Sequence, residues 1–197
     1  MCKEEREELE RLYDNSPDVI GGFGEALTAS TLRSDLRMSI VRSLYIGRSQ
    51  IDMVAVTPSC VYVIENKNYH GVVSGHGSSV YWNVNYTPYR THKLYNPVMQ
   101  NARHVSDVTE LLKLTGYSSI PVHSLVIFND LVELRLIEMP RQVFKLRDFV
   151  DSYEEPTISV LDNDSVNSLT DLFCKFRDCS DEVRLAHLKR ASYWGRS

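Results

Sequence analysis

Two neighbouring segments decide the fold: QIDMVAV, residues 50–56, and, after a Pro58-Ser59 turn, CVYVIENKNY, residues 60–69. Both are rich in β-branched and aromatic residues, which predicts a pair of strands. Asp52 is the sole acid of the first. In the second, an apolar Val-Ile run gives way to Glu65-Asn66-Lys67, and Glu65 and Lys67, two residues apart, project from one face. Burial alone would place aliphatic side chains at both positions. Two carboxylates on adjacent strands can instead grip a hard divalent cation such as Mg²⁺. A lysine beside them can orient or help deprotonate a water, or offset developing phosphoryl charge. The same three side chains could also form no more than a salt bridge at a strand end.

Working outward, MSIVRSLYI (38–46) reads as a strand turned by Gly47-Arg48-Ser49 into QIDMVAV. The short spacings favour an antiparallel meander, since parallel strands need long crossovers. GVVSGHGSSVYWNVN (71–85) reads as a further hairpin with its tip around Gly75-His76-Gly77, and Tyr86 to Lys93, with Pro88, as a loop. Asn96-Pro97 starts a helix, Asn as cap and Pro at its first position. Val98, Ala102, Val105, Val108, Leu111 and Leu112 continue it at helical spacing until Gly116. SIPVHSLVIFND (119–130) then reads as a buried strand that has crossed over into the same sheet, and LVELRLIE (131–138) as another short strand.

At the N-terminal end, MCKEEREELERLYD reads as a charged helix ending near Asn15-Ser16-Pro17. Gly21, Gly22 and Gly24 precede a second helix, EALTASTLRSDL, which puts Glu25 in a first turn where the local dipole favours a carboxylate. The segments RQVFKLRDFVDSYE and 165–190 read as smaller elements, chiefly helices. The expected organisation is an N-terminal helix over 1–15, a core over 16–138 and a C-terminal extension, 139–197, packed on that core.

The chain has 197 residues, 43% hydrophobic and 24% charged, the profile of an ordinary globular domain. No apolar run approaches the ~20 residues that span a bilayer, and the charged start lacks a signal peptide's apolar stretch. Four cysteines (2, 60, 174 and 179) are too few for a disulfide scaffold, so a cytoplasmic setting with no membrane is expected. Cys174, Cys179 and the scattered histidines lack the spacing of a zinc site. The formal charge is -4, from 22 basic and 26 acidic residues, but it is uneven: -5 over 1–29, +3 over 30–110 and -2 over 111–197. A local basic patch matters more for a polyanion than the sum. Tyr81, Trp82, Tyr86, Tyr89, Arg90, His92, Lys93 and Tyr95 concentrate rings and cations within that positive stretch. Of these Trp82, Tyr89, Arg90 and Lys93 are candidate nucleic-acid contacts, by stacking and phosphate neutralisation; the other reading of the run is an aromatic cluster that covers the sheet edge.

The ordered set GGFGE (21–25), QID (50–52), VIENKNY (63–69), Gly71 and NPVMQ (96–100) resembles the nuclease-related domain (NERD) family, a branch of the PD-(D/E)xK nuclease superfamily. The resemblance implies an α/β, restriction-endonuclease-like fold: a mixed β-sheet core flanked by helices, here with additional C-terminal helical elements. It implies a metal-dependent nuclease acting on DNA with Mg²⁺ or Mn²⁺. Asp52 matches the principal metal-binding aspartate, Glu65 the second carboxylate, Lys67 the catalytic lysine, Glu25 the helix-borne acid of the metal site and Gln100 a helical glutamine facing it. Ile51 stands where the superfamily often has proline, and Asn66 where an apolar residue is usual, so Asn66 is expected on the opposite side of the sheet. The alternative is a module that keeps the nuclease fold but only binds nucleic acid or partner proteins.

Overall fold

The computed structural model describes residues 17–47, 49–87 and 89–177, with side chains from residue 22 onward. The helix expected over 1–15 lies outside them. The chain begins with α1 (Pro17–Leu36), followed by β1 (Ser39–Ile46), β2 (Ser49–Val56) and β3 (Val61–Lys67). Next come β4 (Gly71–His76), β5 (Tyr81–Thr87), β6 (Arg90–Tyr95) and α2 (Pro97–Leu114). The remainder comprises β7 (Val122–Phe128), β8 (Val132–Ile137), β9 (Val143–Lys145), α3 (Leu146–Ser152) and α4 (Asn163–Cys174).

These strands build two mixed sheets flanked by helices, an α/β architecture consistent with a nuclease-like core. The first has the order β1-β2-β3-β7-β9 and the second β6-β5-β4-β8. The meander β1-β2-β3 is antiparallel, and α2 is the crossover that returns β7 parallel to β3. Tight local chemistry sets the meander's turns. Gly47 adopts a positive φ of 60° between β1 and β2. Between β2 and β3, the Thr57 hydroxyl accepts from the Cys60 N–H at 3.1 Å and donates to the Cys60 carbonyl at 3.0 Å.

Alternation along β3 divides the core. Val61 and Val63 pack with Val108 and Leu112 of α2 and with Val166, Leu169 and Phe173 of α4. Ile64 faces the other side with Ala29 and Leu32 of α1 and Leu146 and Phe149 of α3. The inner face of the second sheet, with Val73, Trp82, Val84 and Leu94, closes onto Val126, Phe128 and Val143 of the first.

Several expectations change. The glycines at 21, 22 and 24 lie inside α1, so Glu25 sits in mid-helix and the first-turn dipole argument does not apply to it. Gly24 is instead a contact residue: a Cβ there would stand 2.5 Å from Cγ of Asn68. The expected loop at 86–93 is the end of a hairpin, because Arg90–Tyr95 pairs with β5 across a bulge at Asn85/Thr87. Ala102 is exposed, and the buried stripe of α2 is Pro97, Asn101, His104, Val108 and Leu112. Residues 143–145 form an edge strand on β7 rather than a helix, so the region after 138 still contributes to the sheet. Cys60 is buried and unbridged, and Cys174 is exposed and unbridged.

Candidate active site

The site is built where the ladder opens. Strands β2 and β3 stay paired only to Met53↔Ile64, whereas β3 continues beside β7 to Lys67↔Phe128. Asp52 stands in the resulting gap, where one oxygen, Oδ2, accepts the Asn66 backbone N–H at 2.8 Å. On the opposite edge of β2, the β1 pairing runs from Arg42↔Met53 to Leu44↔Ile51 with Ser43 and Asp52 left out. Ser43 has a φ of 55°, unusual for a residue with a Cβ. Val41 and Leu44, and likewise Val54 and Ile51, pack in the same cluster although each pair is three residues apart. The side-chain alternation therefore slips in both strands at Ser43 and Asp52, turning Asp52 out of the regular ladder.

Glu65 and Lys67 project toward α2. Lys67 Nζ donates to Glu65 Oε1 at 2.6 Å and to Gln100 Oε1 at 3.2 Å. The other Glu65 oxygen, Oε2, lies 3.3 Å from Nε2 of His104. That contact has the distance of an ion pair without hydrogen-bond alignment, so Glu65 Oε2 and both His104 ring nitrogens are buried without a hydrogen-bond partner. Only 1% of Glu65 is exposed. Helix α2 is fixed over this cluster by Asn101, whose amide nitrogen donates to the Val63 carbonyl at 2.8 Å, Ser124 Oγ at 2.9 Å and the Leu125 carbonyl at 3.2 Å. As expected, Asn96 caps the helix, accepting from the Val98 N–H at 3.0 Å.

Asn66 and Asn68, which flank Lys67, serve the other face, as expected for Asn66. Thr28 Oγ1 of α1 donates to Asn66 Oδ1 at 2.8 Å, and Asn68 packs against Gly24. These contacts dock the middle of α1 on the end of β3 and bring the half-buried Glu25 into electrostatic range of Glu65 and Asp52.

The charges are strongly unequal. Burial, and then the neighbouring Glu65 carboxylate, push Asp52 well above the usual carboxylate range, with Lys67 pulling against them. Burial would raise Glu65 too, but the Lys67 ammonium and His104 outweigh it and hold Glu65 below its ordinary value. Lys67 is raised, because Glu65 and Asp52 overcome the burial that favours its neutral form. Glu25 is raised by burial, partly offset by Arg42 and reinforced by Glu65.

The residues fit a hard cation in chemistry. Asp52, Glu65 and Glu25 offer carboxylate oxygens, Glu65 keeps a buried oxygen that makes no hydrogen bond, and the repulsion among the three is what a cation would relieve. Among the described residues no group of three or more His, Cys, Asp or Glu is gathered as a ready-made cage. Mg²⁺ does not require one, because it is commonly held by one or two carboxylates plus water and substrate phosphate.

Of the residues anticipated from sequence, Lys67 joins Glu65 and Gln100 by hydrogen bonds, and Asp52 and Glu25 lie within electrostatic range of Glu65. Tyr89, Arg90 and Lys93 belong to the second sheet; Tyr89 is 99% exposed, and Arg90 lies over the Tyr86 ring, 5.2 Å from its centroid. Trp82 is corrected. It is fully buried, its indole N–H donates to the His76 carbonyl at 3.0 Å and its ring stacks on Phe128, so it offers no face to a base. His104 was not anticipated. Its signal was a polar residue in the buried stripe of α2, one turn beyond Gln100.

The fold and the site define an α/β protein with a carboxylate–lysine cluster at the open end of two central strands. The chain belongs to the nuclease-related domain family, whose model matches residues 20–129, more than half of its length. No curated protein and no solved structure matches it. Among the described residues no helix is long and apolar enough to cross a membrane.

Proposed function

We propose that this protein is a metal-dependent nuclease that hydrolyses phosphodiester bonds in nucleic acid, with DNA as the first substrate to test. The observation that carries the reading is Glu65: a buried carboxylate shared between Lys67 and His104, beside Asp52 where the β2–β3 ladder opens. Asp52 and Glu65 would hold Mg²⁺ or Mn²⁺, with Glu25 directly or through water. When bound, such an ion polarises a phosphoryl oxygen and lowers the pKa of a bound water.

The remaining roles follow from the chain's own groups. Glu65 and Asp52 favour the charged form of Lys67, which suits it to act as a cation and hydrogen-bond donor. It positions the attacking water or offsets charge on the phosphoryl oxygens. Gln100 holds the ammonium from α2, and the Asn66 N–H fixes the Asp52 carboxylate. His104 braces the Glu65 oxygen that Lys67 does not engage.

The alternative, a nuclease fold that only binds, is favoured by one observation: Glu65 Oε1 is already held by Lys67 at 2.6 Å. A screen of single-stranded, duplex, branched and RNA substrates with Mg²⁺, Mn²⁺ or EDTA separates the two. Cleavage that requires the metal supports the nuclease; tight binding with no turnover on any substrate supports the binding module.

A further inference from the structure

Between Glu65 and Asp107 the sequence contains no Asp or Glu, in a chain that has 26 of them. The same span holds Lys67, Arg90, Lys93 and Arg103 and four of the six histidines. It also supplies three of the four strands of the second sheet, β4, β5 and β6. The fourth, β8, adds little net charge to that face, because Arg135 binds Glu133 through two hydrogen bonds of 2.7 and 3.0 Å.

The outer face of this sheet is chemically distinct from its inner one. Trp82, Val84 and Leu94 point into the core. Between them, Tyr81 pairs with Tyr95, Asn83 with Lys93 and Asn85 with Thr91, so these six alternate residues share the outer face. Tyr81 is 53% exposed, and its ring meets Tyr95 edge-on at 5.9 Å with the Lys93 ammonium 6.0 Å from its centroid. Asn85 is held in place, accepting from the Thr91 hydroxyl at 2.8 Å and donating to Ser74 Oγ at 3.0 Å. Tyr89 stands fully exposed at the hairpin tip beside Arg90.

From this surface we infer that the outer face of β5 and β6, with the hairpin tip, is a binding platform for an unpaired polynucleotide strand. Rings stack on bases only where the bases are unpaired, Lys93 on this face neutralises phosphate, and fixed amides hydrogen-bond base edges. A surface built only to attract polyanions would not require exposed tyrosines. In sequence the platform adjoins the candidate active site: β6 runs through Asn96 into the helix carrying Gln100, and three residues separate Lys67 from β4. As a feature of a nuclease it rests on the proposed function and specifies a substrate with a single-stranded portion; as a binding surface it stands apart from catalysis.

The test is fluorescence anisotropy of 5′-fluorescein-labelled (dT)20 with the full chain in EDTA, where no metal-dependent cleavage occurs. Single strand should bind more tightly than a duplex of equal length. Tyr89→Ala and Lys93→Glu, both at exposed positions, should each weaken (dT)20 binding at least about fivefold. Unchanged affinity in both variants, equal affinity for duplex, or displacement by polyglutamate as effective as by unlabelled (dT)20 would each overturn the platform. Metal-dependent cleavage together with unchanged binding by the variants sinks the platform and leaves the nuclease standing. Loss of binding in the variants without cleavage of any substrate by wild type supports the platform and sinks the nuclease.

Discussion

His104 Nε2 lies 3.3 Å from the Oε2 atom of Glu65, the oxygen that the Lys67 ammonium leaves unengaged. Helix α2 thus meets the central acid with two polar residues one turn apart: Gln100 through Lys67, and His104 directly. Glu65 is thereby fixed in position and kept ionised in a buried place.

Removing the brace should loosen the site. His104→Ala is expected to lower metal affinity and turnover by roughly 10–100-fold, the usual range for a group that orients a metal-binding side chain. His104→Gln, which keeps a polar group within reach of Glu65, should recover part of it. Mn²⁺ calorimetry on the three proteins checks this, and a change in thermal stability with unchanged Mn²⁺ affinity would mean that His104 only fills space.

Asp52 should be a stability cost that function retains. Its folded-state pKa is raised by burial and by Glu65, so the folded protein holds that proton more tightly than the unfolded chain. Stability is therefore lost as pH rises from the ordinary Asp range, about 3.9, through the raised folded value. Glu65 has the opposite sign: its pKa is lowered, so its contribution is present above the ordinary Glu range and lost as pH falls through the folded value. Asp52→Asn in EDTA at neutral pH should stabilise by about 0.5–2 kcal/mol, at ~2–4 °C per kcal/mol for this size, while losing metal-dependent activity. The gain should disappear below about pH 4, and thermal scans across pH measure it.

The motif residues were legible because their chemistry contradicts their setting: Asp, Glu and Lys inside strands otherwise made of Val and Ile. Gln100 came through the ordered motif. Glu25 is assigned to the right helix but to its first turn rather than its middle, because Gly21, Gly22 and Gly24 read as breakers. Gly24 is small for a tertiary reason, the Asn68 side chain against it, which no local pattern reveals. His104 is polar and so falls outside a helical stripe defined by apolar residues alone. The β5–β6 hairpin end reads as loop in sequence because its exposed strand is polar and Pro88 interrupts the run.

Ser43 offers a test of the slip that turns Asp52 outward. Its φ of 55° suits glycine better than any residue with a Cβ. Ser43→Gly should be tolerated or stabilising by up to about 1 kcal/mol, whereas Ser43→Val should destabilise by ~1–3 kcal/mol. Urea unfolding of both variants checks the order, and a Val variant as stable as wild type would contradict the left-handed backbone.

Trp82 and Tyr89 should separate cleanly. Trp82→Ala empties a fully buried site and is expected to cost roughly 3–5 kcal/mol of stability. Tyr89→Ala, at a surface position, should stay within about 0.5 kcal/mol of wild type. Denaturant unfolding distinguishes them, and a stability loss in Tyr89→Ala matching that of Trp82→Ala would contradict their assigned places.

Most direct for the central claim is single-turnover cleavage of end-labelled DNA in Mn²⁺, comparing wild type with Lys67→Ala whose circular dichroism matches wild type. The proposed mechanism requires metal-dependent cleavage by wild type and a loss of about 100-fold or more in the variant. Cleavage by Lys67→Ala at the wild-type rate would contradict it.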